Sequence, residues 1–349
     1  MKPVIWLLSA YRSDSHAAWC DWLCKHLDAF DWQIRELPGR HFAWRIRSNP
    51  LSWLDRLPEK PPDLVLATSM VDLATLKGLH PRLGRVPCWY FFHENQMAYP
   101  INTGQVRSVE PKMVQLYGAL AADRLLFNSA YNRDSFLDGL DAFLARMPDQ
   151  VPADIRARIK PRCRLLPVPV KPVAGGQRRK PRLIIWNHRW EYDKAPARFA
   201  DAMISLAELN APFRLALLGP RAARTPEPLQ RIRSALGDRI VVDGKVSRPE
   251  YLRWLGQADI AVSTAIHEFQ GIGMLEAVSA GATPLVPDAL CYREQYPAAY
   301  RYLPDDASEP VASLSTWIRN GPPSAPDIRQ WLDESLKPAW ERELEWLET

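Results

Sequence analysis

Two glutamates flank a short glycine-containing loop whose residue types suit a sugar nucleotide. Seven residues separate Glu268 from Glu276, and Gly271 and Gly273 lie between them. Glycines let a backbone approach a ligand closely, and the free N–H groups at a helix N-terminus attract a diphosphate. The spacing and the glycines therefore predict a sugar-nucleotide site.

A buried strand and a short helix must hold this loop. The run Asp259–Thr264 is apolar and β-branched, as in buried parallel strands, and Met274–Ala280 is typical of a helix that ends at Gly281. The two carboxylates would then lie on either side of one turn. The same residues also suit an ordinary strand-to-helix turn with two solvated glutamates, because short glycine motifs recur by accident.

The Glu-x7-Glu spacing, with Phe269, Gly271 and Glu276 in place, resembles the signature of the retaining, metal-independent glycosyltransferases of the GT-B fold. This resemblance implies that Glu268 contacts hydroxyls of the donor sugar and that Glu276 binds the ribose. It also implies that the backbone amides of Gln270–Ile272 hold the sugar and the phosphates. We infer no role for the Gln270 side chain.

The resemblance extends to a pair of cations in the second half of the chain. Arg189 and Lys194 follow the predicted strand Arg182–Trp186, and in the family such a pair neutralises the departing phosphates. The loop Asp243–Ser247, which includes Val246, lies close to the nucleotide base in relatives. The implied donor-binding residues are Arg189, Lys194, Val246, Glu268, Phe269, Gln270, Gly271, Ile272 and Glu276.

Polar residues follow two predicted strands in the first half of the chain, Val4–Ser9 and Val86–Phe92. Ligands of open α/β sheets bind at the carboxyl ends of strands, so we expect an acceptor pocket there. Helix capping by Asp14 or Ser15, ahead of a predicted helix over Ala17–Phe30, would explain one or two of these residues instead. The candidates are Ser13, Asp14, Ser15, His16, His93, Glu94, Asn95 and Gln96, with a loop through Asn102, Gly104 and Gln105 beside them.

The resemblance singles out His93, because in related GT-B enzymes a residue at this point lies beside the reacting carbon of the sugar. A lone histidine at a strand end is more often structural, but three further hydrogen-bonding side chains follow this one. The implied catalytic residues are His93, Arg189, Lys194 and Glu268.

An arm after the predicted strand Trp32–Leu37 mixes basic and aromatic residues with no acid among them. Arginine pairs with phosphates, and aromatic faces accept unstacked bases, so this arm suits nucleic acid. A charged, solvated face with aromatic residues beneath it is the alternative. The residues of the arm are Arg40, His41, Phe42, Trp44, Arg45 and Arg47.

The stretch Arg156–Arg182 contains ten basic residues and no acid, with prolines and Gly175-Gly176 within it. Such composition predicts a linker between domains, and it could also form a track for a polyanion next to the site.

The composition fits a two-domain intracellular protein. A chain of 349 residues can bury two cores, and a net charge of +5 is the sign expected of a protein that meets polyanions. The five scattered cysteines lack the spacing of a zinc site, so we expect reduced thiols. No cleavage site follows Met1–Ala10 and no segment reaches membrane-spanning length, so we expect a cytoplasmic protein without membrane contact.

The resemblance and the run of predicted strands together favour an α/β protein of GT-B architecture, with two Rossmann-like domains facing each other across a cleft. We expect an acceptor domain over 1–172, a donor domain over 173–325, and a C-terminal helix over 326–349 that packs back on the first domain. Further strands are predicted at Asp63–Thr68, Arg124–Asn128, Arg214–Gly219, Ile240–Val242 and, last, Pro284–Pro287, and a helix at Ala325–Leu347 with Trp331, Trp340 and Trp346 on roughly one side.

Four longer strings are similar to the tRNA-queuosine mannosyltransferases, a branch of these enzymes, over nearly the whole chain. The resemblance implies transfer of mannose from GDP-mannose to a cyclopentenediol hydroxyl of queuosine in tRNA-Asp. None of this acceptor chemistry follows from spacing or composition. The strings are His41–Arg45, His93–Gln96, Trp186–Lys194 and Ser263–Phe269.

The expected mechanism is attack on the same face of the sugar through an oxocarbenium-like state, with the departing phosphate accepting the hydroxyl's proton. A double displacement with Glu268 as nucleophile is the rival. No D-x-D string occurs, so we expect neither a catalytic metal nor another cofactor. Two other functions stay open: a GT-B enzyme with a lipid or polysaccharide acceptor, and a nucleotide-sugar epimerase of the same fold.

Overall fold

The chain divides into two compact units in the computed structural model, which describes residues 1–99, 108–221 and 225–348. Unit 1 comprises Met1–Pro169 and Glu334–Thr349, and unit 2 comprises Val170–Asp333. The first division lies close to the expected boundary at 172. The chain re-enters unit 1 at Glu334, later than the expected 326.

Unit 1 is built around a parallel sheet that has six strands within the described residues, in the order β2-β1-β3-β4-β5-β6. Strands β3 and β4 are wholly buried apolar runs, as expected of strands covered on both faces. The strands are β1 (Val4–Arg12), β2 (Asp31–Pro38), β3 (Leu64–Thr68), β4 (Cys88–Phe92), β5 (Arg124–Phe127) and β6 (Cys163–Leu165).

Helices connect these strands and cover the sheet of unit 1. The side chain of Ser13 caps α1 by accepting a hydrogen bond from the His16 N–H, so neither Asp14 nor Ser15 is the cap, and His16 lies in the helix and not in a loop. The helices are α1 (Asp14–His26), α2 (Phe42–Trp53), α3 (Leu73–Leu79), α4 (Glu110–Ala121), α5 (Ala130–Leu144) and α6 (Ile155–Ile159).

Unit 2 has a second parallel sheet, also six-stranded within the described ranges, in the order β12-β11-β10-β7-β8-β9. The short strand β12 pairs with β11, so the prediction that Pro284–Pro287 is the last strand was wrong. The strands are β7 (Arg182–Trp186), β8 (Phe213–Leu218), β9 (Ile240–Gly244), β10 (Ile260–Val262), β11 (Thr283–Pro287) and β12 (Arg301–Tyr302).

The helices of unit 2 alternate with its strands, and an apolar core lies between α7, α8, α12 and the sheet. Phe199, Met203 and Leu206 of α7 are fully buried there at helical spacing. The helices are α7 (Pro196–Glu208), α8 (Glu227–Leu236), α9 (Arg248–Gln257), α10 (Ile272–Ser279), α11 (Tyr292–Gln295) and α12 (Ser308–Asn320).

The last helix, α13 (Asp333–Leu344), packs on unit 1 as expected. The ring of Trp340 is fully buried, and its centre lies 5.9 Å from the ring centre of Trp19 and 5.7 Å from that of Phe91. A single helix over Ala325–Leu347 was wrong, because Trp331 lies in a separate 3-10 helix of unit 2 and Trp346 is 41% exposed.

The basic stretch Arg156–Arg182 is not simply a linker. Its first part forms α6 and the edge strand β6 of unit 1. Part of its charge is paired within each unit: Arg156 pairs with two aspartates of α5, and Arg182 pairs with Asp259. Arg178 donates to the backbone carbonyls of Ala258 and Ala280. These contacts leave less charge for a polyanion than the sequence suggests.

Candidate active site

The site in unit 2 lies where the order of its strands reverses. β7 and β10 are neighbours, and the chain runs outward from them in opposite directions along the sheet. In open α/β sheets, ligands bind outside the carboxyl ends of strands at such a switch point. The loops after β7 and β10 meet here, because the Asp193 carbonyl accepts the N–H groups of Ile266 and His267 at 2.9 and 3.2 Å.

Lys194 is the central cation of this site and is almost fully buried. Its Nζ lies 3.0 Å from Glu268 Oε2, 3.0 Å from Asp193 Oδ2 and 2.9 Å from the His267 carbonyl oxygen. An ammonium has three donors, so all three are used. Burial alone would lower the pKa of Lys194, but Glu268 and then Asp193 raise it above its ordinary value. The side chain therefore stays charged.

Glu268 is held as a carboxylate. Its Oε1 accepts the N–H of Phe269 at 3.1 Å, and the Gly271 N–H also bonds to the carboxylate. Burial would raise the pKa of Glu268, but the charge of Lys194, with hydrogen bonds from Lys194 and from the Gly271 N–H, lowers it to about 2. Gly271 has φ 63° at the start of α10, a left-handed conformation that glycine adopts without strain.

Arg189 differs from Lys194 in its exposure. Its side chain is 51% exposed, and its guanidinium lies 3.2 Å from Glu191 and 3.8 Å from Asp193. Both cations are thus on the same loop, one buried with its donors satisfied and one open to solvent.

Glu276 is buried on α10 and is held by two residues of α9 that the sequence did not indicate. Its carboxylate pairs with both terminal nitrogens of Arg248 and accepts the Tyr251 hydroxyl at 3.1 Å. Asn187 Nδ2 donates to the Tyr251 oxygen at 2.9 Å and to the Gly273 carbonyl at 2.8 Å. These contacts join α9 and α10 to the end of β7.

Gly273 serves this network and not only a close approach to ligand. A Cβ at position 273 would lie 3.2 Å from Asn187 Nδ2, so a larger residue would press on the amide that supports Tyr251. The network is separated by many residues in sequence, so no local motif could reveal it.

The remaining predicted donor residues support the loop. The ring of Phe269 is buried against His267, with ring centres 4.5 Å apart, and the Gln270 carbonyl accepts from Gln295 at 2.6 Å. Ile272 begins α10, and Val246 is half-buried in the loop between β9 and α9.

In unit 1, His93 follows β4 and stacks on His16 with ring centres 4.1 Å apart. His16 Nδ1 lies 3.0 Å from the Tyr11 carbonyl oxygen, and Trp19 meets His93 edge-on at 4.7 Å. Burial lowers the pKa of His16 to about 4, and burial with the neighbouring His16 lowers that of His93 well below its ordinary value. The structure thus places two of the predicted acceptor residues together as neutral imidazoles.

Asn95 has a structural role, which corrects its prediction as an acceptor ligand. Its side chain is fully buried, donates to Asn132 Oδ1 at 2.8 Å and Ser135 Oγ at 3.1 Å, and accepts the Ala98 N–H. It therefore fixes the turn after β4 on α5. Its neighbours are partly exposed, with Gln96 Nε2 3.3 Å from Glu94 Oε1, and the predicted loop residues Asn102, Gly104 and Gln105 lie outside the described residues.

Most of the arm forms the start of α2. Arg47 pairs with Asp72 and with Glu110, so part of its charge is compensated within unit 1, although its side chain is 46% exposed. Arg45 Nη1 lies 3.4 Å from Ser52 Oγ. Trp44 is 64% exposed, and Arg40 and His41 are exposed just before the helix.

Two features are absent from the described residues. None of their helices has the length and apolar character that crossing a bilayer requires. In the same residues, no three His, Cys, Asp or Glu side chains are grouped as a metal site would need.

Comparison with known proteins gives one family and one fold. Residues 4–170 match the family described as tRNA-queuosine alpha-mannosyltransferase N-terminal. The chain is also 35% identical over 315 residues to a Drosophila melanogaster tRNA-queuosine alpha-mannosyltransferase, covering 86% of this chain and 84% of that protein.

Solved structures resemble the chain in fold at low identity. Anabaena HepE in complex with UDP and glucose superposes with a TM-score of 0.70 at 13% identity, over 99% of this chain and all of that one. The lipopolysaccharide galactosyltransferase WaaB gives 0.65 at 13% identity, over 98% and 99%. OtsA gives 0.66 at 14%, over 99% of both chains. The expected GT-B fold is confirmed.

Proposed function

This chain belongs to the tRNA-queuosine alpha-mannosyltransferase family, and we propose that it moves mannose from GDP-mannose to a cyclopentenediol hydroxyl of queuosine in tRNA-Asp. It is a glycosyltransferase of the GT-B fold. The observation that carries the proposal is the buried Lys194–Glu268 pair at the switch point of unit 2, with Glu276 on the adjoining helix.

The donor would be bound through charge. Lys194 would exchange one of its carboxylate partners for a phosphate oxygen, since its three donors are already used. The exposed guanidinium of Arg189 and the N-terminus of α10 would add positive charge where the leaving diphosphate develops negative charge.

Glu268 would then accept hydrogen bonds from hydroxyl groups of the mannose. Its carboxylate has a pKa of about 2, so it is a weak base and remains an acceptor at neutral pH. This supports same-face attack, in which the departing phosphate takes the proton of the incoming hydroxyl. A double displacement would instead need Glu268 to leave Lys194 and two backbone N–H groups before attacking the sugar.

The acceptor would be bound by unit 1. His93 would lie beside the reacting sugar as a neutral ring, and the exposed Trp44 and Arg40 would meet the RNA. We place the reaction in the cytoplasm, where tRNA is modified, and expect it to need neither a metal nor another cofactor. In this scheme the side chains and backbone amides named above bind the donor and stabilise charge, and the departing phosphate accepts the proton.

The test is transfer of labelled mannose from GDP-mannose to queuosine-containing tRNA-Asp, followed by digestion and mass spectrometry of the nucleosides. We expect a mass gain of one hexose on queuosine. Matched tRNA that lacks queuosine is the control. Release of GDP that does not depend on queuosine, or transfer to a lipid or polysaccharide instead, would overturn the proposed acceptor.

A further inference from the structure

We propose that Arg248 contacts the base of the nucleotide donor and makes the site selective for guanine. The inference rests on the proposed function, because it takes Glu276 as the residue that binds the ribose. It adds a residue that selects the donor base, which neither the fold nor the Glu-x7-Glu spacing identifies.

Arg248 directly contacts Glu276, the carboxylate proposed to bind the ribose. It is the first residue of α9 and pairs with both oxygens of Glu276. In a nucleotide the base is attached to the ribose, so a group that touches the carboxylate beneath the ribose hydroxyls is within one side-chain length of the base. No other residue of the network carries a mobile positive charge: Tyr251 and Asn187 are neutral and packed together.

The two partners of Glu276, Arg248 and Tyr251, differ in how freely their side chains can move. A carboxylate offers about four acceptor positions, and Arg248 with Tyr251 fills about three of them. The side chain of Arg248 is 55% exposed, whereas Tyr251 is anchored by Asn187 and only partly exposed. When ribose hydroxyls reach Glu276, the guanidinium is the partner that can turn away, and its central carbon lies 5.1 Å from the centre of the Tyr251 ring.

The neighbouring arginines are less suited to this task. Arg221 and Arg233 both pair with Asp243 at the end of β9, and Arg221 also lies over the Trp190 ring at 4.7 Å. Their guanidiniums are held by a carboxylate that has no part in ribose binding here. Only the partner of Arg248 is the carboxylate that the nucleotide itself would engage.

The chemistry of a guanidinium favours guanine. Guanine presents two adjacent acceptors, O6 and N7, which match the paired N–H groups of arginine. Adenine places an N6 donor beside N7, and uracil offers a single O4 at the corresponding edge. A bidentate contact with guanine is therefore available to Arg248, and the same side chain would meet a donor in adenine.

The experiment measures binding of GDP, ADP and UDP to the full chain by calorimetry, for the wild type and for Arg248→Ala and Arg248→Lys. We expect GDP to bind best to the wild type. Arg248→Ala should lower the affinity for GDP by roughly ten- to a hundredfold and leave the affinity for UDP almost unchanged, as for loss of one bidentate base contact. Arg248→Lys keeps the charge but loses the fork, so it should also lose most of the preference.

Arg253→Ala is the matched control, because Arg253 lies on the same helix, is 59% exposed and stacks on Trp254 as Arg248 does on Tyr251. It should bind all three nucleotides as the wild type does. If Arg248→Ala weakens all three equally, Arg248 only positions Glu276 and the inference is overturned while the donor stands. A wild type that prefers UDP or ADP would overturn both the inference and the proposed donor.

Discussion

The ammonium of Lys194 lies 3.0 Å from the Glu268 carboxylate, and each group stabilises the ionised form of the other. Lys194 lowers the pKa of Glu268 to about 2, and Glu268 is the strongest cause that raises the pKa of Lys194. In the absence of a donor, the two groups proposed to bind phosphate and sugar therefore neutralise each other. A phosphate that binds Lys194 would displace Glu268 or Asp193 from its ammonium.

Replacing Lys194 by alanine should lower both activity and stability. We expect turnover to fall by roughly two to three orders of magnitude, the size typical of losing one preorganised charge partner. The carboxylates of Asp193 and Glu268 would lose their common cation, so the free energy of unfolding should fall by about 3 to 5 kcal/mol. Steady-state kinetics and chemical denaturation measure the two effects.

Arg189→Ala is the matched variant, because Arg189 lies on the same loop but is half-exposed. It should lose turnover by a similar factor with almost no change in stability. Equal destabilisation of the two variants would contradict the difference in burial, and full activity of a folded Arg189→Ala protein would refute its role at the diphosphate.

Stability should decline between pH 6.5 and pH 4 because several buried histidines are neutral in the folded protein. Burial is the main cause that lowers the pKa of His16, His188 and His267 from 6.5 to about 4. In that window the unfolded chain binds more protons than the folded chain, so falling pH favours unfolding, by up to about 3 kcal/mol per histidine. Below about pH 4.5, Glu268 adds a further loss as pH falls towards 2.

Urea denaturation at a series of pH values tests this expectation. His188→Gln should flatten the decline between pH 6.5 and 4, while His41→Asn should not, because His41 is exposed. An unchanged slope in His188→Gln would show that this histidine is not buried in its neutral form.

Activity should survive chelation with EDTA. In the proposed scheme, Arg189, Lys194 and the N-terminus of α10 would supply the positive charge at the diphosphate. Turnover with and without EDTA, followed by addition of magnesium or manganese, is the measurement. Loss on chelation with recovery on metal addition would contradict the proposal.

Trp44→Ala should weaken tRNA binding and leave GDP-mannose binding unchanged, since its indole is 64% exposed at the start of α2. One lost base stack corresponds to a loss of roughly five- to a hundredfold in affinity. Trp346→Ala, an exposed tryptophan elsewhere in unit 1, is the control.

Arg40→Ala tests the electrostatic part of the same surface, and it should reduce the salt dependence of tRNA affinity by about one counterion. Arg47→Ala should instead destabilise unit 1, because Arg47 pairs with Asp72 and Glu110. If donor binding fails in Trp44→Ala while tRNA affinity stays intact, this surface does not bind RNA.

The central strands, such as β3, β4 and β7, were predictable from the sequence because their apolar runs are buried on both faces. The predicted run Arg182–Trp186 coincides with β7, and β3 and β4 begin only one or two residues inside their predicted runs. Strand β6 was missed because it is short and mostly exposed at the sheet edge, within a basic stretch that suggested a linker.

The site was predictable only where its residues are close in sequence or match a family motif. Glu268, Gly271 and Glu276 form one motif, and Lys194 follows β7 at a familiar spacing. Arg248 and Tyr251 precede Glu276 by more than twenty residues and reach it only through tertiary packing. The compensation of Arg47 by Asp72 and Glu110 escaped notice for the same reason.

The place of α13 in the chain affects the order in which the protein is completed. Unit 1 is formed by two stretches that lie on either side of unit 2 in the sequence. The ribosome therefore synthesises all of unit 2 before it adds Trp340. Until then Trp19 and Phe91 lack the indole ring that packs against them. Domains usually fold one after another from the N-terminus during synthesis. Here the unit whose synthesis starts first is finished last, so a nascent chain holds a complete unit 2 before it has a complete unit 1.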